Sequence, residues 1–147
     1  MRKIKRIVVP VYFSFHTEKL VEYATYLAEV LSAVISYIHV VEFYPGNSLM
    51  PLSYVQQYEE KLLADVNMRM SLLIKENSER CKGCTGKVVV GDPVEKITEF
   101  AKEQDADLLI LSTHGSKGLE RIALGSVAER VMKQAHCPVL IMNPFKK

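Results

Sequence analysis

Five short apolar runs, separated by segments of helical periodicity, leave this chain few folds to adopt. Ile4 to Val9 is the first run, ended by Pro10. Val34 to Val41 is the second, rich in β-branched residues and holding Tyr37 and His39, and Lys87 to Val90, Asp107 to Leu111 and Val139 to Met142 complete the set. Runs of this length bounded by turn residues read as buried strands. Between the first two, Leu20, Ala24, Leu27 and Leu31 recur at helical spacing, with Val21 and Ala28 widening the stripe. Val55, Tyr58, Leu62, Val66, Met70 and Leu73 mark a longer helix, on which Tyr58, Met68 and Met70 read as core or interface material. Gly91-Asp92-Pro93 stops the third strand and starts a helix, with Asp92 as N-cap, Pro93 in the first turn and Glu95 three residues beyond Asp92. That helix is expected to bury Val94, Ile97 and Ala101, and a fourth helix is expected over residues 126 to 135. The region from 42 to 54, around Pro45 and Gly46, should be the most mobile loop.

Alternating strands and helices imply a mostly parallel sheet with helices on both faces, a Rossmann-like α/β architecture, because parallel neighbours need crossover connections and these are right-handed. One domain spanning residues 1 to 147 is expected, large enough to bury about two thirds of its unfolded surface. Ligands in such sheets bind beyond the carboxyl ends of the strands. Four segments converge there: Pro10 to Phe15, Val40 to Glu42, Gly91 with Asp92, and the glycine-containing loop between Leu111 and Val127.

Composition removes several function classes. Apolar residues make up 48% of the chain and charged residues 24%, so neither disorder nor membrane residence is indicated, and a net charge of +2 is too small to argue for nucleic acid. Arg2, Lys3, Lys5 and Arg6 followed by Ile7 to Val9 superficially resemble a signal peptide, but Pro10 and Tyr12 cut the run short and no apolar stretch approaches the roughly 20 residues of a membrane span. A cytoplasmic protein is the simpler reading. Cys81 and Cys84 form a CxxC preceding a strand, without the four ligands of a structural zinc site or the placement of a thioredoxin-like pair. Reduced, partly exposed thiols in a turn are expected there.

The loop between the fourth strand and fourth helix carries the strongest chemical signal. Its glycines let the main chain approach an anion, and the first turn of the following helix adds N–H groups and partial positive charge. Gly115 and Gly125 serve either as phosphate-cradling positions or as turn residues with positive φ. Gly118 loosens the loop, while Lys117 and Arg121 either neutralise phosphate or stay solvated. Ser126 with Glu129 reads as a capping box. His16, His39 and His114 fall near strand ends, yet no carboxylate spacing supports a metal site, and His39 inside an apolar strand reads as a hydrogen-bonded core residue.

Ile7-Val8-Val9-Pro10, Ile38-His39-Val40-Val41, Gly91-Asp92-Pro93 with Ala106-Asp107-Leu108-Leu109-Ile110, and above all the stretch from Thr113 to Met142 resemble the universal stress protein family over almost the whole chain. The resemblance implies a five-stranded parallel sheet in the order 3-2-1-4-5. Its ATP-binding branch carries Gly, two residues, Gly, nine residues, then Gly-Ser or Gly-Thr. Gly115 and Gly125-Ser126 match that spacing, whereas Ser112 stands in place of the first glycine. The aspartate usual two residues after the first-strand proline is here Tyr12, which cannot accept two ribose hydroxyls as a carboxylate can.

Carried over residue by residue, the resemblance assigns Pro10, Val11 and Val40 to the adenine and ribose side. Ser112, Gly115, Gly125, Ser126 and Val127 go to the ribose and phosphate side, with Tyr12 at the sugar. It implies a regulatory protein binding ATP or another adenine nucleotide, with or without Mg2+, and with slow hydrolysis at most, since no general base or arginine finger can be named. It also implies a symmetric homodimer through the fifth strand, Pro138 to Met142, and protein partners of unknown identity. The alternative is a non-nucleotide member acting as a dimeric protein-interaction module, its crevice closed by Tyr12. No dinucleotide fingerprint follows the first strand, and Tyr12 with Phe13 replaces the acidic pocket a phosphoacceptor receiver would need.

Overall fold

The computed structural model describes residues 2–14, 16–42, 49–113 and 124–145. Its elements alternate throughout: β1 (Arg6–Pro10), α1 (Thr17–Leu31), β2 (Val34–Val41), α2 (Leu52–Glu76), β3 (Thr85–Val90), α3 (Pro93–Glu103), β4 (Leu108–Ser112), α4 (Ser126–Gln134) and β5 (Val139–Met142). The strands form one parallel sheet in the order β3-β2-β1-β4-β5, as the family resemblance implied. From β1 the chain steps outward through β2 to β3, then crosses to β4 and steps outward again to β5. Right-handed crossovers therefore put α1 and α2 on one face and α3 and α4 on the other.

Alternating side chains feed the two layers. Ile7, Val9 and Val11 of the first strand and its extension join Leu20, Val21, Ala24 and Ala28 of α1 and Met70 of α2 in one core. Val8 points the other way, into Val94, Ile97, Phe100 and Ala101 of α3 and Ala128 and Val131 of α4. The central strands are apolar on both faces because both faces are covered. The α3 start is as expected: the Asp92 carboxylate accepts the Glu95 N–H at 2.9 Å and Pro93 lies at the helix start.

Asp107, just before β4, holds the opposite end of the sheet together. Its carboxylate accepts the N–H groups of Lys5 (2.9 Å) and Arg6 (3.0 Å) and meets Arg2 Nε at 2.8 Å. These bonds, the Lys5 amide first, hold the buried carboxyl below the usual carboxylate range.

Several expectations need correction. Helix α2 begins at Leu52, so the loop expected over 42–54 ends earlier; residues 43–48 of it lie outside the described residues. Of the residues expected as core or interface material, Met70 is in the core, whereas Tyr58 and Met68, 60% and 65% exposed, are not core. Cys81 and Cys84 are joined as a disulfide rather than held as partly exposed thiols, and Cys81 is only 3% exposed. Gly83 takes φ +81°, a turn conformation that brings the two Cα atoms to 5.7 Å, while Cys81 packs into the α1/α2 core.

β5 is an edge strand, half-buried along its length. Leu140 and Met142 face the α1/α2 core and Val139 the α3/α4 core. Leu109 N–H donates to Pro138 O and Thr113 N–H to Met142 O. Because backbone groups alternate sides along a strand, the N–H and C=O of Val139 and Ile141 point away from β4, toward the free edge.

Candidate functional site

The sheet order reverses between β1 and β4, and in an open parallel sheet this switch point opens a crevice at the carboxyl ends of the strands. On the β1 side, buried Pro10 pairs with Ile38, and the N–H of Val11, 1% exposed, donates to Ile38 O at 2.8 Å. The next carbonyl, Val11 O, lies 2.6 Å from His39 Nδ1. A carbonyl oxygen only accepts, so Nδ1 carries the proton and donates. Burial lowers the imidazole's affinity for a second proton, with the Val11 bond opposing and the Arg69 charge adding to the effect. His39 is thus a neutral hydrogen-bonded strand residue, as its apolar surroundings in the sequence suggested.

Beyond Val11 the chain turns sharply. Phe13 adopts φ +54°, a left-handed conformation uncommon for an aromatic residue, and its ring rests on the His39 ring with centroids 5.0 Å apart. Between these anchors Tyr12 is half-buried; burial, with a further contribution from the Glu42 carboxylate at the end of β2, pushes its phenol up to about 12. Val40, the remaining residue assigned to this side, is half-buried on the α3/α4 face and pairs with Val89.

On the β4 side, Ser112 is buried beside Met142. The next residue, Thr113, donates its N–H to Met142 O (2.8 Å) and accepts the N–H of Gly125 on its own carbonyl (2.8 Å). The Thr113–Gly125 bond closes the two ends of the glycine loop onto each other. Gly115, Lys117, Gly118, Arg121 and His114 lie outside the described residues.

Gly125 is required here for a reason other than the one anticipated. Its φ is −61°, open to any residue, but a Cβ would lie 2.7 Å from Thr113 O, against backbone that cannot swing aside. Gly125 is also the N-cap of α4, its carbonyl accepting the Glu129 N–H at 3.0 Å. The capping box expected at Ser126 is therefore not formed. Ser126 is already the first helical residue, no side chain among the described residues caps the helix start, and Glu129 pairs forward with Lys133 at 3.1 Å. Ser126, Val127 and Ala128 supply the first N–H groups of α4, which have no carbonyl four residues back within the helix. Val127 is half-buried against the α3/α4 core and Ser126 is exposed.

Two residues that shape this end were missed in the sequence. Thr113 makes the loop-closing bond and its bond to β5 through its backbone, so its side-chain type gave no signal beyond its place immediately after a strand. The left-handed turn at Phe13 gave none, because a glycine or asparagine would be the usual marker. A separate groove of about 750 Å³ runs between α1 and α2, reaching the crevice at Phe13 and Thr17; its Arg69 and Arg80 are paired with Asp65 and Glu29. Among the described residues no group of acidic, histidine or cysteine side chains is arranged to hold a metal ion, and no helix is long and apolar enough to cross a membrane.

A switch point between β1 and β4 and a Thr113–Gly125 bond directly before the start of α4 are consistent with the family read from the sequence. The universal stress protein family model matches residues 3–143. The chain belongs to the universal stress protein family. It is 35% identical over 143 residues to universal stress protein MJ0531 of Methanocaldococcus jannaschii, covering 97% of this chain and 84% of that one. Its fold is similar to the solved structure of MJ0577 from the same organism, with a TM-score of 0.81 and 27% identity over 96% of both chains. Two further family structures share the fold. One is a universal stress protein in complex with cAMP (TM-score 0.70, 22% identity, 97% of this chain and 99% of that one). The other is the Archaeoglobus fulgidus protein in complex with dAMP (TM-score 0.57, 21% identity, 95% and 98%).

Proposed function

We propose that this universal stress protein binds an adenine nucleotide, ATP or a relative of it, in the crevice at the carboxyl ends of β1, β2 and β4, and acts as a regulator rather than a dedicated catalyst. The observation that carries the proposal is the Thr113–Gly125 closure, which sets a loop of the family's phosphate-binding spacing directly before the start of α4. Backbone N–H groups at a helix start suit a phosphate chemically and electrostatically. In this reading Pro10, Val11 and Val40 line the adenine and ribose side, and Ser112, Gly115, Gly125, Ser126 and Val127 the ribose and phosphate side. Mg2+, where present, would ride on the phosphates. The cAMP and dAMP complexes of other family members support the choice of an adenine nucleotide.

The working unit in this proposal is a symmetric homodimer paired through β5. Its support is the half-buried apolar edge strand with the outward-facing N–H and C=O groups of Val139 and Ile141, flanked by a groove of about 530 Å³ lined by Tyr23, Tyr26 and Leu140.

A second reading is favoured by the desolvated phenol of Tyr12: the ring fills the sugar position and the dimer serves protein contacts alone. Titration calorimetry with ATP and Mg2+ on the wild type and on Tyr12→Asp separates the two. Saturable binding by the wild type supports the nucleotide reading. Binding by Tyr12→Asp alone supports closure of the crevice by Tyr12, and binding by neither folded protein removes the nucleotide.

A further inference from the structure

At the end of the sheet away from the crevice, the turn from α2 into β3 carries the Cys81–Cys84 disulfide, and nothing in the nucleotide reading uses it. We infer that Cys81 and Cys84 form a reversible thiol–disulfide site, oxidised by a peroxide and reduced by a dithiol, in which Cys84 is the sulfur that meets the reagent and Cys81 the sulfur that resolves or leaves.

The two cysteines are unequal. Cys81 is 3% exposed and belongs to the α1/α2 core, its N–H donating to Asn77 O at 2.8 Å, whereas Cys84 is half-buried immediately before β3. Lys82 and Gly83 between them are exposed, and the φ of +81° at Gly83 folds the turn so that the two Cα atoms stand 5.7 Å apart. Thiol–disulfide exchange proceeds at the sulfur a reagent can reach, so access assigns the order of events. The third cysteine, Cys137, lies elsewhere, after α4, and is outside the disulfide; burial raises its thiol above the ordinary value.

In oxidation the Cys84 thiolate attacks a peroxide oxygen. An S–O bond forms, the O–O bond breaks, and hydroxide leaves to become water, giving a sulfenic acid. Cys81 then attacks the Cys84 sulfur, forming the S–S bond and expelling the sulfenic oxygen, which takes the Cys81 proton and leaves as a second water. Two thiols lose two electrons in all and one hydrogen peroxide becomes two waters. In reduction a dithiol thiolate attacks Cys84 Sγ, Cys81 departs as the thiolate, and the second thiol of the reagent releases Cys84 while closing its own disulfide. The cross-link spans the joint between α2 and β3, so its state sets how firmly the end of α2 is tied to the sheet.

The test uses the full chain with Cys137→Ser, so that two thiols remain. After reduction, hydrogen peroxide should lower the intact mass by two hydrogens per chain, and dithiothreitol should restore it. Oxidation should raise the melting temperature by about 5 °C, the shift a four-residue cross-link gives in a chain of this size. With a sulfenic-acid trap such as dimedone, Cys81→Ser should label at Cys84 at least 10-fold faster than Cys84→Ser labels at Cys81. Equal labelling of the two single-cysteine variants overturns the order of attack. Failure of the folded, reduced protein to lose two hydrogens, or addition of oxygen without disulfide formation, overturns the site itself, and neither readout depends on whether nucleotide binds.

Discussion

Placing a methyl group on Gly125 tests the loop closure that organises the candidate site. The added Cβ would lie 2.7 Å from Thr113 O, and the obstacle is backbone, so either Thr113 or Gly125 must move. Movement breaks the 2.8 Å bond from Gly125 N–H to Thr113 O, worth about 1 kcal/mol, and forcing a methyl into filled space costs about 1–3 kcal/mol more. One effect runs the other way. Alanine is at ease at φ −61° and ψ 147°, so restricting the unfolded chain returns about 0.4–1 kcal/mol. The net expectation is a loss of about 2 kcal/mol, or about 4–8 °C in melting temperature for a chain of this length. Urea and thermal unfolding of wild type and Gly125→Ala measure it directly. If Gly125→Ala is as stable as the wild type or more so, the close approach to Thr113 is not what selects glycine, and the argument for a pinned loop fails.

Three further perturbations follow from the same geometry. His39 has a lowered proton affinity when folded, so the unfolded chain binds the proton first; its share of stability is present above the ordinary histidine value of about 6.5 and is lost as pH falls below it. Denaturation midpoints between pH 7.5 and 5.5 should drop less in His39→Asn, whose amide still donates to Val11 O, and an unchanged slope would remove His39 from the account. Asp107→Ala should cost about 3 kcal/mol in urea unfolding by stranding the Lys5 and Arg6 amides, with Asp107→Asn milder because its oxygen still accepts. A loss under about 1 kcal/mol for alanine would show those bonds to be dispensable. Ile141→Pro removes an edge-facing N–H while leaving the β4 ladder intact, so light scattering should read the 16.7 kDa monomer against twice that mass for wild type; a variant that stays dimeric would place the interface elsewhere.

The sequence made the sheet legible because a strand buried on both faces has to be apolar throughout, and β2 and β5 emerged with the bounds their apolar runs had given. Strand order came from the family resemblance, since periodicity carries no information on which strands are neighbours. Asp92 was readable as a cap because its partner amide lies three residues away, a purely local relation. What the sequence hid depends on distant backbone. Ser126 looked like a cap by the same local rule, yet Thr113 captures the Gly125 amide from across the loop and the helix starts one residue earlier than a serine cap requires. The role of Asp107 is of the same kind, its partners lying about a hundred residues away at Lys5 and Arg6. The Cys81–Cys84 bond depended on the left-handed turn at Gly83, which a CxxC alone does not specify.

The most direct test of nucleotide binding in the crevice is a titration of the isotopically labelled protein with ATP and Mg2+, followed through its backbone amide resonances. Binding there should produce saturable shifts in Val11, Tyr12, Thr113 and Gly125 to Ala128 at the carboxyl end of the sheet, with Cys81 to Thr85 at the opposite end unmoved. Amides that stay fixed at saturating nucleotide, or shifts confined to the groove between α1 and α2 around Leu73 and Arg80, would contradict it.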